Sequence, residues 1–308
     1  MVEMLFKVLL CLFPLCSVEC LSLEKTNELS KLPNRRSFVG KMISSLVALQ
    51  LSTVKPSVAM TLDKKTGIAL PDPGEIEGAI PEDWTKVDNP FEETDSSSKS
   101  MFSRLDSTPD SIFYTDPRFV EHVDDNAVQL MTEYISSAVA SGGDSVLDLC
   151  SSWTSHFDRT KSRRPTRFSG LGMNEKELQA NNVLTDWVVQ DLNAKPKLPY
   201  ENDTFDTILC QLSIDYLTSP LEVLKEAGRV LKPGGKIHIL FSNRLFLSKA
   251  VGLWTGADDI DHAFYVGSYL HFSGGSFGSI MAKDLSTRKG RGNQIVGDPL
   301  YVVTAAKK

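Results

Sequence analysis

Residues 205 to 241 read FDTILCQLSIDYLTSPLEVLKEAGRVLKPGGKIHILF and contain the repeating unit of the fold. The stretch opens with a β-branched, apolar run from Phe205 to Leu212 and closes with another from Lys236 to Phe241, both typical of buried strands. Between them, Pro220 to Leu231 has apolar residues at helical spacing, and Lys232-Pro233-Gly234-Gly235 ends that helix. A strand, a helix and a second strand in this order predict one unit of a parallel α/β sheet.

Further short strands are predicted on both sides of this unit. The candidates are Ser145 to Leu149, Arg167 to Leu171, Trp187 to Gln190 and Leu300 to Ala305. A helical pattern that begins near Phe119 precedes the first of them and ends at Gly142-Gly143. Strands that alternate with helices predict a doubly wound α/β sheet, in which ligands bind at the carboxyl ends of the strands.

The composition excludes several classes of protein. Of the 308 residues, 41% are hydrophobic and 23% are charged, which is enough for one or two packed domains. A net charge of −6, from 33 basic and 39 acidic residues, gives no sign of nucleic-acid binding. Five cysteines are too few for a secreted fold held together by disulfides.

Residues 1 to 59 predict a bipartite targeting segment. The apolar run from Leu5 to Leu15 is too short to span a bilayer and is typical of a signal peptide, with a cleavage site before Leu21. Asn34-Arg35-Arg36-Ser37-Phe38 is a twin-arginine motif, followed by a short apolar stretch and the small residues Ser57-Val58-Ala59. Two such signals in series resemble the leader of a protein delivered to the thylakoid lumen of a plastid; secretion is the simpler alternative. No further span of membrane length is expected in the mature protein.

The rest of the chain divides into an arm and a domain. Residues 60 to 110 are rich in proline, serine and acidic residues and show little periodicity, so they predict an extended linker or arm. The apolar residues of this arm are spaced irregularly, which favours an arm that lies over a domain surface. The folded domain is expected from 111 to 308.

Three motifs resemble the second half of class I S-adenosylmethionine-dependent methyltransferases, of the type that includes quinone-biosynthesis methyltransferases. They are Leu198-Pro199-Tyr200, Phe205-Asp206 and Arg229 to Gly235. The resemblance spans roughly residues 112 to 306. It implies a Rossmann-like doubly wound sheet of seven strands, six parallel and one antiparallel, with the antiparallel strand, Leu300 to Ala305, inserted between the fifth and sixth. It also implies S-adenosylmethionine as cofactor and a small-molecule substrate.

The cofactor loop departs from the family pattern. The family ends the first strand in Asp-x-Gly-x-Gly-x-Gly, because glycines let the backbone approach the cofactor. This chain has Asp148-Leu149-Cys150-Ser151-Ser152-Trp153-Thr154, so all three glycines are replaced. The loop resembles the Asp-Leu-Cys-Ser-Ser-Trp signature of a plastid subgroup. Trp153 either stacks on the cofactor or packs as an ordinary core residue.

The family's ribose contact is replaced as well. An acidic residue usually follows the second strand, where this chain has Gly172; Asn174 would donate a weaker hydrogen bond, and Glu175 would reach in from further along. Asp191 matches the acidic residue that meets the adenine amino group. Losing one charge-assisted hydrogen bond costs about 1.5 to 3 kcal/mol, so weakened cofactor binding is expected. The implied cofactor-binding residues are Asp148, Cys150, Ser151, Ser152, Trp153, Gly172, Asn174, Asp191 and Leu192.

Substrate-side residues are expected after the fourth and fifth strands. The resemblance makes Asp215 the candidate base and Tyr216 the candidate positioning group, with helix capping as the alternative role for Asp215. Arg244 either binds a substrate carboxylate or phosphate, or pairs with an acid of the protein. The aromatic stretch Gly252 to Gly278 is interpreted as a substrate lid that contributes Tyr269 and His271, although aromatic residues in such a stretch also commonly pack on their own domain.

No metal site is predicted, because the histidines lack the spacing of metal ligands. Cys150 and Cys210 are placed by the resemblance at the carboxyl ends of neighbouring strands. They either form a reversible disulfide in an oxidising compartment or remain two buried thiols.

Two functions follow from these observations. The first is a methyltransferase that acts on a small molecule, and the matching segments around strands four and five favour it. The second is a non-catalytic binding or assembly protein that keeps the fold and has a protein partner. A lumenal location favours this second function, because the cofactor is made outside that compartment.

Overall fold

The computed structural model describes residues 61–92 and 101–308. The predicted targeting segment, with both of its cleavage sites, lies outside the described residues. The strands are β1 (Ser145–Leu149), β2 (Arg167–Gly172), β3 (Asp186–Val189), β4 (Phe205–Gln211), β5 (Leu231–Phe241), β6 (Phe277–Asp284), β7 (Arg288–Lys289), β8 (Gln294–Ile295) and β9 (Tyr301–Lys307). The α-helices are α1 (Glu75–Gly78), α2 (Asp110–Phe113), α3 (Asp125–Gly142), α4 (Glu175–Ala180), α5 (Pro220–Val230), α6 (Gly252–Thr255) and α7 (Asp259–Phe272), and 3-10 turns occupy Trp84–Lys86 and Ile214–Tyr216.

Seven strands form one sheet in the order β3-β2-β1-β4-β5-β9-β6. The first five strands along the chain pair in parallel, whereas β9 runs antiparallel to both β5 and β6. Six strands are therefore parallel, and the antiparallel last strand lies between the fifth and the sixth. The predicted fold class, a doubly wound Rossmann-like α/β sheet, is confirmed.

Helix α5 shows how the sequence sets the local structure. Its apolar residues pack under the sheet, and Val223, Leu224 and Ala227 are almost completely buried. The helix ends at Val230, and β5 begins at the next residue, so the Lys232-Pro233-Gly234-Gly235 segment belongs to the entrance of the strand. Gly234 has φ +76°, a left-handed conformation that glycine adopts at little cost.

The aromatic stretch after β5 is part of the folded core. The prediction of a substrate lid there is therefore wrong. The stretch folds into α6, α7 and the start of β6, with Tyr269 only 1% exposed in the main core. The Tyr269 ring packs 5.0 Å from the Phe91 ring and 6.1 Å from the Phe102 ring. Aromatic side chains that fill the layer beneath a sheet give the same sequence pattern as a lid.

The arm packs against the domain over much of its described length. Ile76 in α1 is completely buried in the main core, and Trp84 stacks on His271 with the ring centroids 4.9 Å apart. Further along, the fully buried Lys249 ammonium holds the arm by a 2.7 Å hydrogen bond to the Thr108 carbonyl oxygen. Over residues 61–92 and 101–308, no helix is long and apolar enough to cross a bilayer.

Candidate active site

A cavity of about 390 Å³ opens at the carboxyl ends of the parallel strands. It lies where the strand order reverses between β1 and β4, which is where ligands bind in open α/β sheets. Loops after five strands contribute Cys150–Thr154, Met173, Gln190–Asn193, Gln211–Ser213 and Arg244–Phe246. The opposite wall comes from the segment that joins the arm to α3, with Asp110, Tyr114, Arg118 and residues 120–123. The predicted boundary at residue 110 therefore cuts through the cavity wall.

The loop after β1 is held by its own side chains. Asp148 is buried and accepts hydrogen bonds from Ser151 Oγ and Ser155 Oγ, both at 2.7 Å, and from Gln211 Nε2 at 2.8 Å. Burial raises the pKa of the Asp148 carboxyl, against the effect of these three hydrogen bonds. Cys150 has φ +55°, the left-handed conformation that a glycine would adopt more easily. The loop thus keeps a glycine-like turn without glycine, and side-chain hydrogen bonds fix it.

Gly172 has no room for any side chain. A Cβ atom there would lie 2.0 Å from the Ser151 carbonyl oxygen. The Ser151 backbone N–H, in turn, donates a 2.8 Å hydrogen bond to the Leu171 carbonyl oxygen, which fixes the loop against the end of β2. The acidic residue that the family has here is therefore sterically incompatible with this loop conformation.

Glu177 supplies a carboxylate to this part of the cavity. It lines the cavity from α4, where Oε2 accepts from Ser152 Oγ and Oε1 accepts from the Arg118 backbone N–H, both at 2.7 Å. Glu177 was not predicted from the sequence; the acid predicted to reach this part of the site, Glu175, is exposed and outside the cavity. Glu175 and Glu177 are two positions apart in α4, so they lie on different faces of the helix. This spacing was the signal that only one of the two acids can face the cavity.

Asn174 caps α4 and does not reach the cavity. Its Oδ1 atom accepts from the backbone N–H groups of Lys176 and Glu177, and its Nδ2 atom donates to the Tyr114 and Thr115 carbonyl oxygens. All of its hydrogen-bonding capacity is used within the protein. The structure therefore replaces the predicted ribose contact of Asn174 with a helix-capping role.

Asp191 keeps a carboxylate oxygen available for a ligand. Its Oδ1 atom accepts from the backbone N–H groups of Asn193 at 2.9 Å and Ala194 at 3.2 Å. The other oxygen, Oδ2, has no hydrogen-bond partner in the described part of the chain, and the residue lines the cavity next to the buried Leu192. The geometry fits the predicted role of Asp191.

Trp153 bridges the cofactor loop and the opposite wall. Its Nε1–H donates to the Val120 carbonyl oxygen at 3.3 Å, and its ring meets the Phe119 ring edge-on at 6.5 Å. The neighbouring His156 makes a second bridge, with Nε2 3.0 Å from Glu121 Oε2 and Nδ1 2.8 Å from Gln211 Oε1. Trp153 lines the cavity, so its position is compatible with both predicted roles, stacking on a ligand and packing within the protein.

On the substrate side, the structure separates the two residues predicted after β4. Tyr216 lines the cavity, and its hydroxyl accepts a 2.9 Å hydrogen bond from the Phe246 N–H. Asp215 is buried behind it, outside the cavity surface. Burial raises the pKa of Asp215 to about 8, against a hydrogen bond from Tyr216. Because the carboxyl lies behind Tyr216 and forms no part of the cavity surface, the geometry does not support Asp215 as the base.

Arg244 lines the cavity but is neutralised within the protein. Its guanidinium pairs with Asp63 Oδ2 at 2.9 Å and with Asp298 Oδ1 at 2.8 Å. Of the two predicted roles, the pairing with protein acids is the one observed, and it ties the arm to the loop before β9. Tyr269 and His271, the other predicted substrate-binding residues, are packed against the arm away from the cavity.

The described residues contain no group of three or more His, Cys, Asp or Glu side chains arranged to hold a metal ion. Cys150 and Cys210 are both free thiols. A hydrogen bond with Cys150, together with burial, raises the pKa of the Cys210 thiol.

We expect Cys150 and Cys210 to remain thiols after mild oxidation with oxidised dithiothreitol, because the thiolate is the reacting species and burial opposes its formation at Cys210. Mass spectrometry of the alkylated peptides that contain each cysteine measures this. A linked peptide pair that forms in the wild type, disappears on reduction and is absent from Cys210→Ser would contradict the expectation and support the reversible disulfide.

Residues 167–239, from β2 to β5, match the family model of a methyltransferase domain. The chain is 38% identical over 74 residues to the ubiquinone/menaquinone biosynthesis C-methyltransferase of Ruegeria sp., which is 24% of this chain and 28% of that protein. It is also 32% identical over 104 residues to the demethylmenaquinone methyltransferase of Chlamydia muridarum, which is 32% of this chain and 44% of that protein. These matches span less than half of either relative's length.

Among solved structures, the chain is similar to a SAM-dependent methyltransferase from Archaeoglobus fulgidus, with TM-score 0.43 and 15% identity over 58% of this chain and 94% of that one. It is similar also to the Haloferax volcanii complex between the Trm112 methyltransferase activator and a methyltransferase, with TM-score 0.41 and 17% identity over 59% of this chain and 90% of that one.

Proposed function

We propose that this chain, which has the fold of a class I methyltransferase and a methyltransferase-domain sequence from β2 to β5, is an S-adenosylmethionine-dependent methyltransferase that acts on a small molecule. The observation that carries the proposal is the cavity at the switch point of the sheet, whose wall includes Asp191, Glu177 and the loop after β1. Carboxylates in this position suit the hydroxyl and amino donors of a nucleoside.

The residues present fit the cofactor in a modified way. Asp191 Oδ2 would accept from the adenine amino group, and Glu177 would accept from the ribose hydroxyls that Gly172 cannot reach. The backbone and side chains of Cys150 to Trp153 would border the methionine part. When bound, S-adenosylmethionine supplies the methyl group on a positively charged sulfur.

The protein's own contribution to methyl transfer is alignment. Transfer from a sulfonium needs the acceptor atom, the methyl carbon and the sulfur in line, so positioning dominates and a general base is optional. Tyr216, held by the Phe246 N–H, would position the acceptor from the β4 side. The segment from Asp110 to Val123 closes the opposite wall and would exclude water from the reacting atoms.

The cavity also bears on the class of acceptor. Its 390 Å³ falls in the range of small-molecule sites, and its wall carries the rings of Tyr114, Tyr216 and Phe246. Aromatic walls suit a flat acceptor that packs against rings. The matched relatives are named for quinone biosynthesis. We therefore propose a planar aromatic small molecule as the acceptor, with quinones as the first class to test.

One observation favours the alternative function, a non-catalytic binding or assembly protein. All three family glycines after β1 are replaced, and Asp148 is fully occupied by hydrogen bonds inside the loop. A loop that is satisfied internally has fewer groups left for a ligand. Cofactor binding separates the two functions.

Titration calorimetry of S-adenosylmethionine and S-adenosylhomocysteine into the purified protein tests the proposal. We expect binding at micromolar concentrations, and a tenfold to hundredfold weaker affinity for Asp191→Asn, since losing a charge-assisted hydrogen bond costs about 1.5 to 3 kcal/mol. Asparagine retains the Oδ1 acceptor for Asn193 and Ala194, so the loop itself is preserved.

Asp191→Ala removes the loop hydrogen bonds as well and should bind no better than Asp191→Asn. A matched control is Asp116→Asn, which changes an exposed carboxylate that has no part in the cavity wall. Absence of heat from a folded wild-type sample up to millimolar ligand would defeat the methyltransferase proposal and favour the alternative. Equal affinity of Asp191→Asn and the wild type would remove Asp191 from the site.

We further propose delivery to a plastid, with the thylakoid lumen as the destination, on the basis of the two signals in residues 1 to 59. Fluorescence microscopy of the full chain fused to a fluorescent protein tests the compartment. Loss of lumenal delivery in Arg35→Lys, with plastid entry retained, is the expected result for a twin-arginine signal. Secretion of the fusion would support the simpler alternative.

A further inference from the structure

Among the described residues, Arg118 places a positive charge in the cavity wall without an acidic partner. Its guanidinium lines the cavity and lies over the Phe113 ring, 4.1 Å from the centroid, with the Phe246 centroid 5.2 Å away. Nη2 donates a 3.1 Å hydrogen bond to the Phe113 carbonyl oxygen. Nη1 is buried and has no hydrogen-bond partner within the described residues.

Such an arrangement is costly unless a ligand completes it. Arginine stays charged under all ordinary conditions, and a buried donor without an acceptor loses its hydration without compensation. The neighbouring Phe113 and Phe246 rings are apolar, and a charge in apolar surroundings interacts more strongly with an anion than it does in water.

Two other cations of this region are paired. Arg244 contacts Asp63 and Asp298, and Lys249 contacts Asp106 and Asp110. For Arg118, by contrast, no carboxylate of the described chain lies within 4 Å of the guanidinium. The described residues supply no counter-ion, so the guanidinium is available to an anion that enters the cavity.

Two acids of the cavity wall, Glu177 and Glu121, have other hydrogen-bond partners than the Arg118 guanidinium. Glu177 accepts from the Arg118 backbone N–H and from Ser152 Oγ, so it touches the main chain of Arg118 and leaves the guanidinium free. Glu121 is paired with His156. Neither of these carboxylates is therefore paired with the Arg118 guanidinium.

We propose that Arg118 binds a carboxylate of a ligand in this cavity. The inference deepens the proposed function, on which it rests. Nη1 and the second N–H of Nη2 form a fork that matches the two oxygens of a carboxylate. Two sources of that group are compatible with the site, namely the amino-acid part of the cofactor and an aromatic carboxylic acid that serves as methyl acceptor. In the second case, Phe113 and Phe246 would pack on the body of the acceptor.

Calorimetry with three probes separates these sources. The first two are S-adenosylhomocysteine and 5′-methylthioadenosine, which lacks the amino-acid part. The third is benzoate, added to the protein with S-adenosylhomocysteine present. If the cofactor supplies the carboxylate, Arg118→Gln binds S-adenosylhomocysteine at least tenfold more weakly and methylthioadenosine as well as the wild type does. If the acceptor supplies it, S-adenosylhomocysteine affinity is unchanged, and benzoate binds the wild type at least tenfold more tightly than Arg118→Gln.

Controls separate recognition from a structural role of the stacked arginine. Arg159→Gln removes a charge from an exposed site and should leave every affinity unchanged. Arg118→Lys keeps the charge without the fork and should give intermediate affinities. If Arg118→Gln does not fold, this lysine variant carries the test. A structural role would lower the affinities for methylthioadenosine and S-adenosylhomocysteine together, which would overturn the proposal.

Equal affinities of wild type and Arg118→Gln for all three probes would also overturn it, including the case in which neither protein binds benzoate. Failure of the proposed function looks different, because wild type would then bind neither nucleoside. In that event benzoate is titrated alone, and the Arg118 assignment stands or falls on the comparison of wild type with Arg118→Gln.

Discussion

Aspartate at position 172 is expected to destabilise the protein and to leave cofactor affinity no higher than in the wild type. The family has an acidic residue at this position, so the substitution looks restorative by sequence alone. In the structure, however, the Cβ of residue 172 would lie 2.0 Å from the Ser151 carbonyl oxygen and 3.2 Å from Leu178 Cδ2. The side chain would also bring a carboxylate towards a carbonyl oxygen in a buried site.

Overpacking of a buried position costs about 1 to 3 kcal/mol, and occasionally more. For a domain of this size each kcal/mol lowers the melting temperature by about 2 to 4 °C. We therefore expect Gly172→Asp to melt about 2 to 12 °C below the wild type by calorimetry or circular dichroism.

The matched control is Gly78→Asp, since a Cβ at Gly78 meets no atom within 4 Å and the residue is exposed. It should change the melting temperature by less than half as much. Two results together would contradict this expectation: an unchanged melting temperature in Gly172→Asp and tighter binding of S-adenosylhomocysteine. They would show that the loop moves aside and that a carboxylate at residue 172 can still accept hydrogen bonds from the ribose.

The same contact changes the interpretation of the cofactor loop. From the sequence, the replaced glycines after β1 and the replaced acid after β2 are two separate losses of cofactor contacts. In the structure they are coupled, because the Ser151 carbonyl occupies the space that a side chain at 172 would need. Glu177 offers a carboxylate nearby and accepts from Ser152, a residue of the replaced loop. The two departures are thus parts of one rearranged site.

The sheet could be predicted because its signals are local. Strand β1 has the predicted bounds, and α5 ends within one residue of its predicted end, since a short apolar run and an apolar stripe identify each element. Strand β6 was missed because it follows glycines and serines and alternates buried with exposed residues at the edge of the sheet.

The cavity wall was harder to predict because it depends on contacts between distant parts of the chain. Arg118 and Glu177 meet across 59 positions of sequence, and no local pattern marks either residue as part of a site. Asp191, in contrast, was predicted from a strand end and a family motif, and the structure places it on the cavity. Residues that directly follow parallel strands are predictable, whereas those that a covering segment brings in are not.

The second large effect is expected from Asp215, whose carboxyl has a pKa raised by burial from 3.8 to about 8. In the unfolded chain the group titrates near its ordinary value. Below about pH 4 both states hold the proton, and the contribution to stability is fully present. As pH rises towards 8, the unfolded state releases the proton while the native state keeps it, so stability is lost at about 1.4 kcal/mol per pH unit.

Asp215→Asn removes this titration with little change of shape. We expect the free energy of unfolding in urea, relative to the wild type, to rise by about 3 to 4 kcal/mol between pH 5 and pH 8. Asp116→Asn is the control for loss of an exposed carboxylate and should show no such rise. Other groups that titrate in this interval are common to wild type and variant and cancel in the difference.

A difference between Asp215→Asn and the wild type that stays constant from pH 5 to pH 8 would show that Asp215 is ionised in the native protein. It would then return as the candidate base, acting through Tyr216. The expected rise instead makes Asp215 a protonated group beneath Tyr216, where it accepts the tyrosine hydrogen bond without carrying a charge. Under the proposed function, Tyr216 would then align the acceptor without help from an ionised Asp215.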